Sequence, residues 1–321
     1  MEKDKRVTIA DVARSANVSR TLVSFVLNGR TDVSAATRTR ILQAIEELGY
    51  RPNAVARNLA KRRAGAIGII CDMETYQDAL GMQFLAAILT AAAERAQRVM
   101  LIPNDDRQIQ EMAEDHAVDG MIFLDEQLAD PCIARLQEIG FPAMGIWNTY
   151  LDNILRKGLE ELALHLESRG HQRAICLCGP ANKLFSTRFD HMTTMTLPEY
   201  GIATSTFYCP PQSETDMARA LAREARGDRA TVIVASSDKL AIDTIHSLHA
   251  ARLRVPDDCA VTGFGDIPSA QWIQPPLTTL RIPVKTLADW TVTTLLKEEA
   301  EGKLTASHDM PGSRLVVRRS C

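Results

Sequence analysis

The chain has 321 residues, of which 45% are hydrophobic and 24% charged, and this balance indicates a globular protein rather than a disordered or fibrous one. The net charge of −3 is unevenly distributed: residues 1–63 carry 13 Lys and Arg against 6 Asp and Glu, which gives +7, and the rest carries 24 against 34, which gives −10. A basic front segment on an acidic body favours contact with a polyanion. A solvated basic surface is the alternative that charge alone leaves open.

The cysteines and the apolar runs exclude several classes of protein. The seven cysteines are scattered and mostly embedded in apolar runs, which is typical of reduced core thiols in the cytoplasm. Cys176 and Cys178 lie at every second position of an apparent strand, and no further Cys or His is nearby. We therefore expect no metal and no cofactor. No apolar run reaches the roughly 18 residues of a membrane span, and the N-terminus lacks the apolar core of a signal peptide. The sequence therefore predicts a cytoplasmic protein.

The first 50 residues predict three short helices. Residues that cap helix starts precede each of them: Thr8, Ser19 and Ser34. Thr8 and Asp11 have the spacing of a capping box. Asn17 tolerates the left-handed conformation of a tight turn between the first two helices, and Gly49 ends the third. Two short helices joined by a tight turn form a helix-turn-helix, so we expect a small all-α headpiece.

From residue 66 onward, apolar runs of about five residues alternate with helical segments, which is the pattern of parallel strands covered by helices on both faces. The predicted strands are 66–71, 99–102, 120–124, 143–147, 174–178, 206–209, 231–235 and 259–264. Helices are predicted near 82–97, 108–116 and 134, up to 170, and from about 188, 214 and 238. Because the pattern occurs in two sets, we expect an α/β body of two doubly wound parallel-sheet lobes.

The chain is accordingly divided into a headpiece of residues 1–51, a hinge segment of residues 52–65 and a body of residues 66–321. Residues 54–60 have the length of two helical turns but little apolar surface, so this helix should be marginal on its own. The chain carries no Gly-rich phosphate loop after a strand, no Gly-x-Ser-x-Gly elbow and no metal spacing among its seven histidines. We therefore do not expect an enzyme.

Four motifs follow one another in the front segment: Val7-Thr8-Ile9-Ala10-Asp11-Val12-Ala13, Val18-Ser19-Arg20-Thr21-Leu22-Val23-Ser24, Val26-Leu27-Asn28-Gly29 and Glu46-Glu47-Leu48-Gly49-Tyr50-Arg51-Pro52-Asn53. With weaker matches as far as Pro275-Pro276-Leu277-Thr278-Thr279, the whole chain resembles the lactose-repressor (LacI) family of bacterial transcriptional regulators. The resemblance implies a periplasmic-binding-protein-like body with a small-molecule effector between its lobes. It also implies a homodimer that represses transcription from a pseudo-palindromic operator in double-stranded DNA. A tetramer stays an alternative that no heptad tail supports.

The resemblance places Arg20 and Thr21 at base-reading positions, where Arg20 would pair with guanine O6 and N7 or merely touch phosphate. Phe25 stands where many members carry arginine, which predicts a changed base preference. Its ring would touch a thymine methyl or fold back onto the headpiece core. The family's phosphate contacts are matched by Thr8, Ser19, Ser24, Asn28, Ser34 and Thr37. For Thr8, Ser19 and Ser34, helix capping alone is the alternative.

The hinge segment resembles the family helix that enters the minor groove at the operator centre, starting at Asn53. Leu59 would be the apolar wedge that kinks the duplex, and packing against the body is its alternative. Ala56 would keep paired hinge helices close, and Arg57 would reach the groove floor or the phosphates. A helix that folds only on DNA would let the body control affinity.

For the effector, the resemblance points first to Asp72 and Arg188. The structural alternative for Asp72 is to cap the following turn, and for Arg188 it is to hold the two lobes together. Ser237, Asp266 and Trp272 complete the expected contacts, and Trp147, Phe189 and Trp272 are either a stacking wall or core. The sequence departs from the family pattern at three polar positions, where it has Ser237, Gly265 and Ile282.

Sugars need many directed hydrogen bonds, so these departures argue against an ordinary unmodified sugar. The effector is expected to be a sugar, a sugar derivative, a less polar metabolite or an anion paired with Arg188. The alternative is a regulator with a collapsed cleft that acts through a protein partner.

Overall fold

The computed structural model describes residues 7–27, 30, 33–50, 63–71, 79–124, 131–147, 151–209, 231–301 and 311–321. Outside these ranges lie six of the predicted site residues: Asn28, Asn53, Ala56, Arg57, Leu59 and Asp72. The predicted hinge helix and the helix predicted from residue 214 lie outside them as well. The chain forms two compact units, Met1–Ala64 and Gly65–Cys321.

The first unit contains the three predicted helices: α1 (Ile9–Ser15), α2 (Arg20–Leu27) and α3 (Ala35–Glu47). The predicted caps are confirmed, because the Leu22 amide donates to Ser19 Oγ at 3.3 Å and the Thr37 amide to Ser34 Oγ at 3.3 Å. Asn17, at the turn between α1 and α2, has the predicted left-handed conformation with φ of 51°. These helices enclose a small aliphatic core that includes the buried side chains of Val12, Val23, Val26 and Ile41.

The second unit begins with a four-stranded parallel sheet in the order β2-β1-β3-β4. Its elements are β1 (Ala66–Cys71), α4 (Ala79–Glu94), β2 (Arg98–Pro103), α5 (Asp106–Glu114), β3 (Met121–Phe123), α6 (Cys132–Glu138) and β4 (Ala143–Gly145). Strand β1 is buried along its whole length, as predicted for a parallel strand covered on both faces.

A second sheet has six strands in the order β10-β9-β8-β7-β5-β6 and is parallel except for β10. Its elements are α7 (Leu151–Ser168), β5 (Arg173–Cys178), α8 (Leu184–Glu199), β6 (Ala203–Tyr208), β7 (Val232–Ala235), α9 (Asp238–Ala250), β8 (Ala260–Gly265), a 3₁₀ turn (Pro268–Gln271), β9 (Thr278–Arg281) and β10 (Arg314–Val316). The predicted start of α8 near residue 188 is wrong, because the helix begins four residues earlier. Two sheets of this kind give the expected two lobes.

Helix α10 (Val284–Glu301) returns the chain to the first lobe, where it packs on α4 and β3. The fit is close: a Cβ atom added to Gly120 would lie 3.0 Å from Leu295 Cγ of α10. No element was predicted after residue 264, so β9, α10 and β10 are additions to the predicted fold. The two lobes share one continuous apolar core and form a single compact body.

Candidate functional site

The first turn of α2 carries the candidate base-reading residues on the outside of the headpiece. Arg20 and Thr21 are exposed, whereas Val23 and Val26 on the other side of the helix are buried in the headpiece core. The sequence folds this way because its apolar residues recur three residues apart, which is close to one helical turn. The helix therefore presents a guanidinium and a hydroxyl to a partner.

Phe25 packs against the headpiece core and is half-buried there. The guanidinium carbon of Arg30 lies 4.5 Å from the centroid of its ring, within cation–π range. Of the two arrangements considered for Phe25, the structure therefore has the ring folded onto the core. Arg30 was not among the predicted residues, although an arginine five residues after an aromatic residue near a helix end favours such a contact.

Thr8 and Ser34, which are predicted to contact phosphate, both cap helices in the headpiece. The Thr8 backbone N–H and its hydroxyl donate to Asp11 Oδ2 at 3.0 and 2.7 Å, which lowers the pKa of the Asp11 carboxyl. The Ser34 hydroxyl donates to Thr37 Oγ1 at 2.9 Å. Capping by these residues is thus observed, and their phosphate contacts stay predictions, as do those of Ser19 and Ser24.

A cavity of about 250 Å³ lies between the two lobes of the body. The first lobe and the segment after β4 line it with Leu80, Gly81, Phe84, Leu124 and Trp147. The second lobe lines it with Gly179, Pro180, Lys183, Phe185, Ser186, Ser236, Ser237, Lys239 and Leu240. Since both lobes contribute walls, a change in the angle between the lobes would change the contacts of a ligand bound here.

Aromatic rings form a continuous series through this cleft. Trp147 meets Phe84 with centroids 5.2 Å apart and Phe185 at 5.0 Å. Phe185 also contacts Phe264 at 5.1 Å and Phe189 at 5.9 Å. Phe84, Phe189 and Phe264 are buried, whereas Trp147 and Phe185 are half-buried at the cavity. Phe189 is thus core behind the wall, and Trp147 is part of the wall itself.

Two serines of the cavity wall already hold backbone groups in place. Ser236, which is buried, accepts a hydrogen bond from the Gly179 amide at 3.2 Å. Ser237 caps α9 by accepting from the Leu240 amide, also at 3.2 Å. Their oxygens keep β5 and α9 in position, and each hydroxyl retains its O–H for donation to a ligand.

Of the predicted effector contacts that the structure describes, only Ser237 lines the cavity. Arg188 forms an ion pair with Asp152, with Nε 2.9 Å from Oδ1. Asp266 accepts from Arg281 Nε at 2.5 Å and from Arg318 Nη2 at 2.6 Å, so its carboxylate is neutralised by two guanidinium groups. Trp272 is 77% exposed and belongs neither to the core nor to the cavity wall.

Asp238, the first residue of α9, is a buried carboxyl next to the cleft. It accepts from the Ile267 amide at 2.7 Å and from the Thr279 hydroxyl at 2.5 Å. Burial outweighs these hydrogen bonds and raises its pKa to about 6. A Cβ atom added to Gly263 would lie 2.3 Å from Asp238 Oδ1, so a glycine is needed there for close packing.

A helix-turn-helix headpiece ahead of a two-lobed α/β body with a ligand-sized cleft defines the class of DNA-binding regulators that carry their own sensor domain. The family models agree: residues 8–53 match "Bacterial regulatory proteins, lacI family" and residues 163–321 match "Periplasmic binding protein-like domain". The chain is 30% identical to the HTH-type transcriptional regulator GalS of Salmonella typhimurium, over 94% of this chain and 93% of that protein.

Other relatives extend the match over the whole chain. The HTH-type transcriptional repressor PurR of Photobacterium profundum is 28% identical and covers 98% of both chains. The fold matches the crystal structure of the Lac repressor dimer bound to operator and the anti-inducer ONPF, with a TM-score of 0.76, 23% identity and coverage of 98% and 99%. The chain belongs to the lacI family of bacterial regulatory proteins. It is a DNA-binding transcriptional regulator and not an enzyme, as the sequence predicted.

Within the described ranges, none of the helices combines the length and the apolar character needed to cross a membrane.

Proposed function

We propose that the protein is a cytoplasmic repressor that binds a pseudo-palindromic operator as a homodimer and that a small molecule in the cleft controls this binding. The observation that carries the DNA part is the first turn of α2, which exposes Arg20 and Thr21 away from the headpiece core. Recognition helices of this kind place their N-terminal residues against base edges in the major groove. The charge of +7 on residues 1–63 supplies the attraction to phosphate.

Arg20 reads guanine in each half-site, and Thr21 supports this contact. Phe25 contributes mainly by holding Arg30 at the end of α2, where a guanidinium adds a cation to the DNA-facing side. Contacts from Thr8, Ser19, Ser24, Ser34 and Thr37 position the headpiece on the phosphates. The hinge residues Asn53, Ala56, Arg57 and Leu59 act at the operator centre.

The homodimer is supported by apolar side chains that the first lobe leaves on its surface. Met82 and Leu89 of α4 are 42% and 44% exposed, and Met100 and Leu101 of β2 are 36% and 47% exposed. Burial of this apolar surface against a second copy is favourable at roughly 25 cal/mol per Å². A dimer through these elements also gives the two headpieces that a palindromic site requires.

The effector is a compact, largely apolar molecule with at most a few polar groups. Trp147 and Phe185 provide flat apolar faces, and Ser236 and Ser237 are already engaged by backbone amides. Among the described residues, the polar side chains of the wall are two lysines and three serines, fewer than an ordinary sugar can use, and each buried group left without a partner costs about 1 to 3 kcal/mol. An aromatic or aliphatic metabolite fits the walls better.

Selection of bound sites from randomised duplex DNA tests the DNA part, with the full chain, Arg20→Ala and Leu59→Ala compared side by side. We expect a pseudo-palindrome with half-sites about one helical turn apart. For Arg20→Ala, the base preference should disappear at one symmetric position of the selected sites. For Leu59→Ala, the preference for a particular central base step should disappear. Failure to enrich any sequence at any salt concentration would contradict the proposal.

Thermal unfolding across a metabolite panel tests the cleft. A ligand at 100 times its Kd stabilises a singly liganded body by about 2.7 kcal/mol. We expect stabilisation by aromatic or aliphatic compounds and none by unmodified hexoses or disaccharides. A panel in which only the sugars stabilise would contradict the apolar class, and a flat panel would favour the protein-partner alternative.

A further inference from the structure

Cys176 and Cys178 lie on one face of β5, because residues two apart on a strand point the same way. Both are fully buried, and their Sγ atoms are 3.5 Å apart. Their register partners on β6 are Thr206 and Tyr208. Asp190 of α8 meets this face, where one carboxylate oxygen accepts from the Thr206 hydroxyl and the other from the Tyr208 hydroxyl, each at 2.6 Å.

The Sγ atoms of Cys176 and Cys178 and a carboxylate oxygen of Asp190 all lie within 4.8 Å of one another. Two thiolates that bind a tetrahedral ion at about 2.3 Å are about 3.8 Å apart, close to the 3.5 Å seen between these sulfurs. We propose that these three side chains bind one thiophilic divalent cation of the Zn²⁺ type, with water in the fourth position. No metal was expected from the sequence, because the third ligand comes from the next helix rather than from a nearby Cys or His.

A disulfide explains the cysteine pair less well than a cation does. The Cα atoms of residues two apart on a strand are about 6.6 Å apart, at the upper end of the range for disulfides. Strand β5 is hydrogen-bonded to β6 on one side and β7 on the other, so it cannot contract without loss of ladder bonds. A bridging cation needs only a small movement of either sulfur.

A divalent cation binds cysteine as the thiolate, so filling this site releases the thiol protons of Cys176 and Cys178. The affinity for the cation therefore increases with pH. Thr206 and Tyr208 orient Asp190 as outer partners orient metal ligands.

The site also adjoins the cleft. Gly179 follows Cys178 directly and lines the cavity, as does Phe185 on the same helix as Asp190. A cation that joins β5 to α8 would therefore connect two segments of the cleft wall.

The test is a titration of the untagged, chelator-treated full chain with Co²⁺, followed by thiolate-to-cobalt charge-transfer absorption and by proton release. We expect one Co²⁺ per chain, displaced by Zn²⁺, and an affinity that rises with pH. Cys176→Ser and Cys178→Ser should each weaken binding by more than about 100-fold, and Asp190→Asn by about 10- to 100-fold. The control is Cys259→Ser, which changes an equally buried cysteine of the same lobe and should leave Co²⁺ binding unchanged.

The proposal is overturned by the absence of charge-transfer absorption, by absorption that persists in the Cys176→Ser, Cys178→Ser double variant, or by an equal loss in Cys259→Ser. If the serine variants fail to fold, Asp190→Asn decides, because its carboxylate is only partly buried. Unchanged Co²⁺ affinity in folded Asp190→Asn contradicts the three-ligand site. None of these outcomes depends on DNA or effector binding, so the proposed function is tested separately.

Discussion

The headpiece and the cleft use their side chains in opposite ways. The headpiece buries a small aliphatic core around Val12, Val23 and Ile41 and exposes the polar first turn of α2. In the cleft, two serine oxygens accept from backbone amides, and aromatic rings such as Phe185 line the cavity. An exposed polar turn suits a polyanion, and we propose that the aromatic wall takes a compact, largely apolar molecule. Changes in one unit should spare the other.

The largest effect confined to one unit is expected from Phe185→Ala, which should destabilise the body and leave the headpiece unchanged. This ring contacts Trp147, Phe189 and Phe264, and deletion of a packed phenylalanine costs about 3 to 5 kcal/mol, with the lower end expected for a half-buried ring. Denaturant unfolding should show a destabilised body and an unchanged headpiece transition. Phe185→Leu, which retains most of the volume, is the control and should lose about 1 kcal/mol. A loss below 1 kcal/mol in the alanine variant would refute the packed aromatic wall.

A pH effect confined to the body is expected from Asp238, whose pKa is raised to about 6 by burial. The folded protein keeps this proton to a higher pH than the unfolded chain, so the stabilisation is present at low pH and is lost as pH rises through about 6. Asp238→Asn removes the titration. Its free energy of unfolding relative to the wild type should therefore rise between about pH 4 and pH 7, by the order of 2 to 3 kcal/mol, and stay level above that range.

The control for this effect is Asp243→Asn, which removes a partly buried carboxylate of the same helix that pairs with Lys239 at 3.1 Å. It should show no such growth. A constant difference between Asp238→Asn and the wild type across this range would show that the buried carboxyl is ionised throughout.

Arg20→Ala should affect the headpiece's function and leave the body unchanged. Loss of a bidentate guanine contact costs about 1 to 3 kcal/mol, or about 5- to 150-fold in operator Kd. Arg107→Ala removes the same charge from an exposed position of the body and is the control. Fluorescence anisotropy with the selected operator measures both variants, and equal losses would mean that Arg20 acts through charge alone.

The smallest effect is expected at Ser34, which caps α3. Ser34→Ala should destabilise the headpiece by about 1 kcal/mol. Ser34→Asp keeps a capping oxygen but adds a negative charge, so it should preserve stability and weaken operator binding. If the aspartate variant bound the operator as well as the wild type, Ser34 would be a cap without a phosphate contact.

The headpiece was predictable because its signals are local. Ser19 and Ser34 stand directly before the helices they cap, and Asn17 and Gly49 have the backbone conformations that their residue types favour. Each of these features needs only a few neighbouring residues. The strands of the body were found for the same reason, since a buried parallel strand such as β1 is a continuous apolar run.

The cleft was less predictable because its walls come from distant segments. An aromatic residue on an amphipathic helix gives the same pattern whether it faces a core or a cavity, so Phe84 and Phe185 went unnoticed. Trp272, expected in the wall or the core, is 77% exposed. Helix α10 was missed because its apolar side packs on α4 of the first lobe, more than 180 residues earlier in the chain.

The central claim is that the cleft controls the headpiece, and operator affinity measured against increasing concentrations of a stabilising panel compound tests it most directly. The account predicts a saturable change in operator Kd of about 5- to 150-fold, and the operator must change the affinity for the compound by the same factor. A compound that stabilises the body yet leaves operator Kd unchanged at saturation would contradict it.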